Sequence, residues 1–296
     1  MNQGMAPHAH VSGEITRKSG SNLALAFFLL PPEKREAMSA LYAYCRRVDD
    51  IADEDDVPMA LRAAELARWR EQTRAACGGG EPSIDVLREL QPFIQRHRLP
   101  FRLFDELLAG VEADLVTMRY PDPPALERYC YHVASVVGLL SIEVFGYKDD
   151  RCRDYADALG KALQLTNILR DVGNDARRGR IYLPQSDLKA HGVTEADILE
   201  GRYSPGFDGL AREVAGRARG FFARARDVLP ACDIDSMMSA ELMGAVYGRL
   251  LVEIERGGFR VLAPTPLRLG RARKLLIILG TVLRWKLGLG LARHGG

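Results

Sequence analysis

The stretch Gln164-Leu165-Thr166-Asn167-Ile168-Leu169-Arg170-Asp171-Val172-Gly173-Asn174-Asp175, with the basic run after it, decides the fold. Read as a helix, it places Gln164, Asn167, Asp171 and Asp175 at i, i+3, i+7 and i+11, on one face. Leu165, Ile168, Leu169 and Val172 fill the sides and back, so the polar row is expected to face inward or into a cleft. Acceptors in line, followed by Arg177, Arg178 and Arg180, suit divalent cations and the phosphates that such cations bridge.

A second acidic site lies upstream, in Tyr44-Cys45-Arg46-Arg47-Val48-Asp49-Asp50-Ile51-Ala52-Asp53-Glu54. Arg46, Asp49 and Asp53 share a helical face by the same spacing rule. The chain therefore carries two Asp-x-x-x-Asp pairs, about 120 residues apart. Each pair sets its carboxylates one helical turn apart, a spacing that can hold Mg²⁺ while water and a diphosphate complete the octahedron. Either pair alone reads equally well as a solvated helix face. Two pairs in aliphatic helices, each with Arg and amide groups in phase, favour the cation.

The remaining sequence is that of an all-α protein. Its 296 residues allow one large domain or two small ones, and 47% hydrophobic residues are ample for a core. No strand pattern, repeat or low-complexity segment competes with helix. Pro31 and Pro32 open the first acidic helix. Helical periodicity then runs over 58–76, 84–97, 100–118, a long apolar 125–147, the organising 151–176, 206–229, 233–257 and 271–293. Gly78-Gly79-Gly80-Glu81-Pro82 is a loop but no domain boundary, because apolar periodicity resumes after it. Met237, Leu242, Val246, Leu250 and Ile254 form a core stripe. Gly138, inside its helix, leaves room for another helix or a ligand chain. Residues 1–16 are expected as a disordered tail and 17–296 as one domain of about ten or more helices around a central apolar cavity.

Five cysteines with no C-x-x-C pair are read as reduced residues of a cytoplasmic protein. His132 and His191 have no partner at metal spacing. The N-terminus lacks a charged-then-apolar signal pattern, so no export is expected. Net charge is only +2, but from Arg256 onward there are nine Lys or Arg and no Asp or Glu. The apolar run Leu275–Leu279 is too short to span a bilayer. The basic segment 271–293, with Trp285, can lie on an anionic membrane surface, peripherally at the inner face; the alternative is a last core helix with a solvated basic face. One tryptophan among aliphatics gives no base-stacking platform, so no nucleic-acid role is expected.

Three segments resemble the squalene and phytoene synthase family: Tyr42–Glu54, Tyr129–Leu140 and Gln164–Pro184, the last being the most specific. Leu30–Glu36 and Glu241–Tyr247 look most like the bacterial presqualene diphosphate synthases of hopanoid pathways. The resemblance implies Mg²⁺-dependent head-to-head condensation of two farnesyl diphosphates to presqualene diphosphate, without NADPH. It implies catalytic roles for Asp49, Asp53, Tyr129, Asp171 and Asp175, with Asn167 joining the four aspartates at the metals. It implies substrate contacts from Ser19, Ser21, Tyr42, Arg46, Ala134, Val137, Gly138, Gln164, Asn167, Arg170, Arg178 and Tyr247. The alternatives are a phytoene or dehydrosqualene synthase and, remotely, a non-enzymatic assembly protein of the same fold. Two departures stand out. An aromatic run common in the family is Leu23-Ala24-Leu25-Ala26-Phe27 here, and Pro266 stands where the family often has arginine, with Arg268 two residues on.

Overall fold

A computed structural model describes residues 12–13, 27–263 and 265–287. Most of the expected tail, and Ser19 and Ser21, lie outside the described residues. Ser12 N–H donates to Glu89 Oε2 at 3.0 Å.

Among the described residues the regular structure is helical. Pro32 at the first turn opens α1, Pro32–Asp53, which carries the first acid pair. Then come α2 (Met59–Cys77), α3 (Asp85–His97) and α4 (Phe101–Val116). Helix α5, Pro123–Cys130, starts from Asp122, whose side chain accepts from Ala125 N–H at 2.8 Å. After it come α6 (Val136–Phe145), the 26-residue α7 (Arg151–Ala176), α8 (Gln185–Ala190), α9 (Glu195–Leu199), α10 (Phe207–Val228), α11 (Met238–Arg256) and α12 (Arg271–Lys286).

Helix α7 is the axis of the molecule. It packs against α10, α6 and α11, while α1 packs against α2, α3, α4 and α6. One contiguous apolar core runs through both groups and takes in Met237, Val246, Leu250 and Ile254 of the stripe, while Leu242 packs in a smaller cluster with Met238 and Met243; each stripe residue is at most 3% exposed. Four of the five cysteines are buried or half-buried and all are free; Cys232 is exposed.

The structure departs from the sequence reading in three places. The expected single helix over 125–147 is broken, because Tyr131–Ser135 form a π-turn between α5 and α6. The extra residue lets this segment bulge toward α7, and Gly160 of α7 makes the contact. A Cβ on Gly160 would lie 2.6 Å from Ser135 Cα. Second, the helix expected from 233 begins at Met238. Asp233 is instead buried in a short 3₁₀ turn, where its carboxylate accepts the N–H groups of Lys148 and Asp149 at 2.9 and 3.0 Å. Third, the outer face of α12 is mixed rather than purely basic: Arg271, Arg273, Arg284 and Lys286 are exposed, and so are several leucines. Ile277, Ile278, Thr281, Val282 and Trp285 turn inward, and leucines face solvent.

Gly173, inside the organising motif, is required by a second close approach. Its N–H donates to Val261 O at 2.9 Å, and a Cβ there would meet Leu262 O at 2.3 Å. The segment before α12 is thereby docked on α7 between Asp171 and Asp175.

Candidate active site

Two chambers lie side by side against α7. The first, about 290 Å³, is polar: Asp49 and Asp53 of α1 face Asp171 and Asp175 of α7 across it. Both pairs reach it because each keeps one turn of spacing on a single helix face. The second, about 310 Å³, is walled mainly by aliphatic side chains of α1, the π-turn, α6, α7 and α11. Arg46, Asp49, Val133 and Gln164 line both chambers, so the carboxylates stand at the mouth of the apolar one.

The polar chamber holds more negative charge than it neutralises. Crowding by protein atoms, then the neighbouring Asp53 and Asp114, push the Asp49 carboxyl up to about 7, against the pull of Arg46. Asp49 is nonetheless open to water at the chamber mouth. Burial and then Asp171 push Asp175 to about 7, although Arg180 and Arg178 oppose them. Arginines bridge the two sides. Arg178 Nη1 donates to Asp53 Oδ1 at 2.8 Å and Arg180 Nη1 to the same oxygen at 3.3 Å. Arg46 pairs with Asp50 at 2.6 Å, and Arg170 holds Asp171 through two hydrogen bonds, Nε to Oδ1 at 2.8 Å and Nη2 to Oδ2. Arg177 donates to Asn174 Oδ1 at 2.7 Å, and Asn174 lines the chamber.

Tyr129 is buried at the chamber edge and donates to Asp114 Oδ2 at 2.9 Å; Tyr182 donates to Asp114 Oδ1 at the same distance. Desolvation, then the Asp114 charge, hold the Tyr129 phenol well above its ordinary value, so it rests protonated. Desolvation also raises Asp114, with the two tyrosine hydrogen bonds pulling the other way. This carboxylate is the residue that sequence reasoning missed. It is delivered by α4, while Arg180 and Tyr182 arrive on an extended segment pinned by Ile181 N–H to Met118 O at 3.1 Å and Gln185 N–H to Tyr120 O at 2.8 Å. Residues i and i+2 of an extended segment point the same way, which turns both toward Asp114.

The apolar chamber is lined by Tyr42, Ala134, Val137, Gly138, Asn167 and Tyr247 among others. Gly138 serves both expectations, since it lines the chamber and a Cβ there would stand 3.0 Å from Ala156 O. Beside Tyr247, four cations lie near one another: Arg170, Arg268, Arg271 and Lys274. Burial lowers the Lys274 pKa, and Arg268, Arg170 and Arg271 lower it further. Arg268 thus belongs to a basic group beside the site, and Lys274 is a second residue that the motifs did not reveal.

The donor set fits divalent cations. Asn167 Oδ1 is a buried acceptor with no hydrogen-bond partner, and burial, then a neighbouring carboxylate, raises Asp49 and Asp175 to about 7. No three acidic, imidazole or thiol groups converge on one point among the described residues. Each ion would therefore take one or two carboxylates and find its other ligands in water and phosphate oxygens, the habit of Mg²⁺.

Facing acid pairs at the mouth of an apolar cavity, in an all-α bundle, suit a ligand with an apolar chain and an anionic head. The chain belongs to the squalene/phytoene synthase family, which it matches over residues 16–274, and is a prenyltransferase of that type. It is 36% identical over 262 residues to presqualene diphosphate synthase of Rhodopseudomonas palustris, covering 88% of this chain and 92% of that one. It is 35% identical over 262 residues to chloroplastic phytoene synthase 3 of Zea mays, covering 86% of this chain and 61% of the maize protein. Its structure superposes on a dehydrosqualene synthase with a TM-score of 0.79 at 27% identity, covering 93% and 95% of the two chains.

Proposed function

We propose that the chain condenses two farnesyl diphosphates head to head, with Mg²⁺ and without NADPH, to presqualene diphosphate and diphosphate. The observation that supports this reading most is the pair of acid motifs facing each other across a polar chamber that opens on an apolar one. Mg²⁺ held by Asp49 and Asp53, and by Asp171 and Asp175 with Asn167, would neutralise the departing diphosphate.

The chain's own groups supply the rest. Arg46, Arg170, Arg178 and Arg180 line or border the polar chamber as charge-assisted donors for phosphate oxygens. Gln164 and Tyr247 add neutral donors on the apolar side. Tyr42, Ala134, Val137 and Gly138 wall the space where an allylic cation must be kept from water. One substrate loses diphosphate from C1, and the 2,3 double bond of the second forms the new carbon–carbon bond. Proton loss then closes the cyclopropane, and the second diphosphate stays in place. Released diphosphate can take that proton. Tyr129 can do so only while passing its own proton to Asp114, because its phenol rests protonated.

A second reading, phytoene or dehydrosqualene synthase, is supported equally by the maize relative and by the dehydrosqualene synthase neighbour. Purified protein incubated with farnesyl diphosphate and Mg²⁺, without NADPH, separates the two. A C30 diphosphate as main product is expected. A C30 hydrocarbon would assign dehydrosqualene synthase instead, and a C40 hydrocarbon formed only from geranylgeranyl diphosphate would assign phytoene synthase. Asp171→Ala is expected to lower turnover about 100-fold or more.

A further inference from the structure

Helix α12 buries one face and leaves the other without a partner. Leu276, Leu279, Leu283 and Leu287 recur at i, i+3, i+7 and i+11, and they are 54–68% exposed. Leu275, 54% exposed, widens the stripe. The stripe runs about 16 Å along the surface. Trp285, the one aromatic of this helix, points inward and donates to Asp235 Oδ1 at 2.9 Å. The outward face of the helix therefore carries leucines flanked by exposed basic residues.

Its borders are basic. Helical phase puts Arg271 and Lys286 along one side of the leucines and Arg273 and Arg284 along the other. Arg273 is spent on Glu253, at 3.0 and 2.8 Å, whereas Arg271, Arg284 and Lys286 make no ion pair among the described residues. From residue 257 onward the sequence has no Asp or Glu that could neutralise them. A leucine stripe between cationic borders is complementary to an anionic bilayer surface, with acyl chains under the stripe and headgroups against the borders. A second protein partner would need acidic residues framing an apolar groove; beside α12, Asp235 and Glu253 are already bound to Trp285 and Arg273 of the helix itself. The helix cannot cross the bilayer: none among the described residues is long and apolar enough.

The location gives the contact a use. A surface pocket of about 340 Å³ lies beside Trp285, and Phe145 and Ser239 line both this pocket and the apolar chamber. Only one layer of side chains therefore separates the chamber from the surface next to α12.

We propose that the outer face of α12 is a docking surface for anionic phospholipid bilayers, with Leu276, Leu279, Leu283 and Leu287 entering the acyl boundary and Arg271, Arg284 and Lys286 meeting the headgroups. The docking does not depend on which prenyl product the enzyme makes. Flotation of the purified full chain with vesicles tests it, using equal parts phosphatidylglycerol and phosphatidylcholine against phosphatidylcholine alone. The wild type is expected to float with the anionic vesicles, about tenfold more weakly with neutral ones, and to come off as salt is raised. Leu276→Gln/Leu279→Gln/Leu283→Gln should abolish flotation while keeping helical circular dichroism and turnover of detergent-dispersed substrate. Arg284→Glu/Lys286→Glu, at two exposed positions, should remove the preference for anionic vesicles. Failure of the wild type to float, or equal flotation by both variants, overturns the proposal. So does a wild-type dimer that the glutamine variant dissociates without any vesicle binding, since the stripe would then be a contact between copies.

Discussion

Asp114 accepts a hydrogen bond from each of two tyrosines and stands in the same chamber as the four aspartates, yet no motif marks it. In sequence it follows Glu112 and Ala113 on an amphipathic helix and looks like one more solvated acid. Its partners are 15 and 68 residues away, so only the fold makes it special. The four paired aspartates were legible because each has its partner one turn away on the same helix. If Tyr129 relays a proton to Asp114, then Asp114→Asn, which keeps the shape but removes the basic oxygen, should lower kcat about 100-fold while KM moves less than about threefold. Tyr129→Phe should fall by a similar factor, and the double variant should be no slower than the worse single. Losses that multiply in steady-state kinetics would mean that the two side chains act separately and that diphosphate takes the proton.

At the scale of elements, helix type and order were readable from apolar spacing, whereas the π-turn was not. Segment 125–147 is apolar or small on nearly every face, so inserting one residue shifts the helical phase without leaving a polar residue misplaced. The leucines on the outer face of α12 were not foreseen for a related reason. Its arginines, lysines and leucines fit two opposite orientations, and only the packing of Ile278, Val282 and Trp285 against Met238, Leu242 and Met243 chooses between them. The π-turn sets the chamber wall, because it carries Val133 and Ala134, and Gly160 lets it seat. Gly160→Ala would put a methyl carbon 2.7 Å from Ser135 N and 2.9 Å from Ala134 C, backbone atoms that cannot rotate aside. The variant is expected to lose about 1–3 kcal/mol in urea unfolding and to raise KM for the prenyl substrate as the wall shifts. Gly216→Ala on α10, where a Cβ meets nothing within 4 Å, is the matched control and should be neutral or slightly stabilising.

For the whole molecule, the site brings together α1 and α7, helices far apart in sequence, each with one carboxylate raised by burial, by its partner on the same helix and by Asp114. Burial and neighbouring carboxylates raise Asp49 and Asp175 to about 7 in the folded chain, against about 4 for an unfolded aspartate. Between those values the folded state binds more protons than the unfolded one, so these two groups make the ligand-free protein less stable as pH rises from about 4 through 7. Mg²⁺ with inorganic pyrophosphate binds the ionised carboxylates and so relieves the repulsion that the rise in pH creates. The gain in Tm from Mg²⁺ plus pyrophosphate should therefore be larger at about pH 8 than at about pH 5.5, and either component alone should give less than the two together. Pyrophosphate itself gains charge over this range, so the comparison needs Asp49→Asn/Asp175→Asn. That variant should be more stable than wild type at pH 8 without ligand, because it keeps the neutral form, and should lose most of the pH-dependent part of the ligand gain. A variant no more stable than wild type at pH 8, or one whose ligand gain keeps the wild-type pH dependence, would show that the acid pairs are not the strained element that binding relieves.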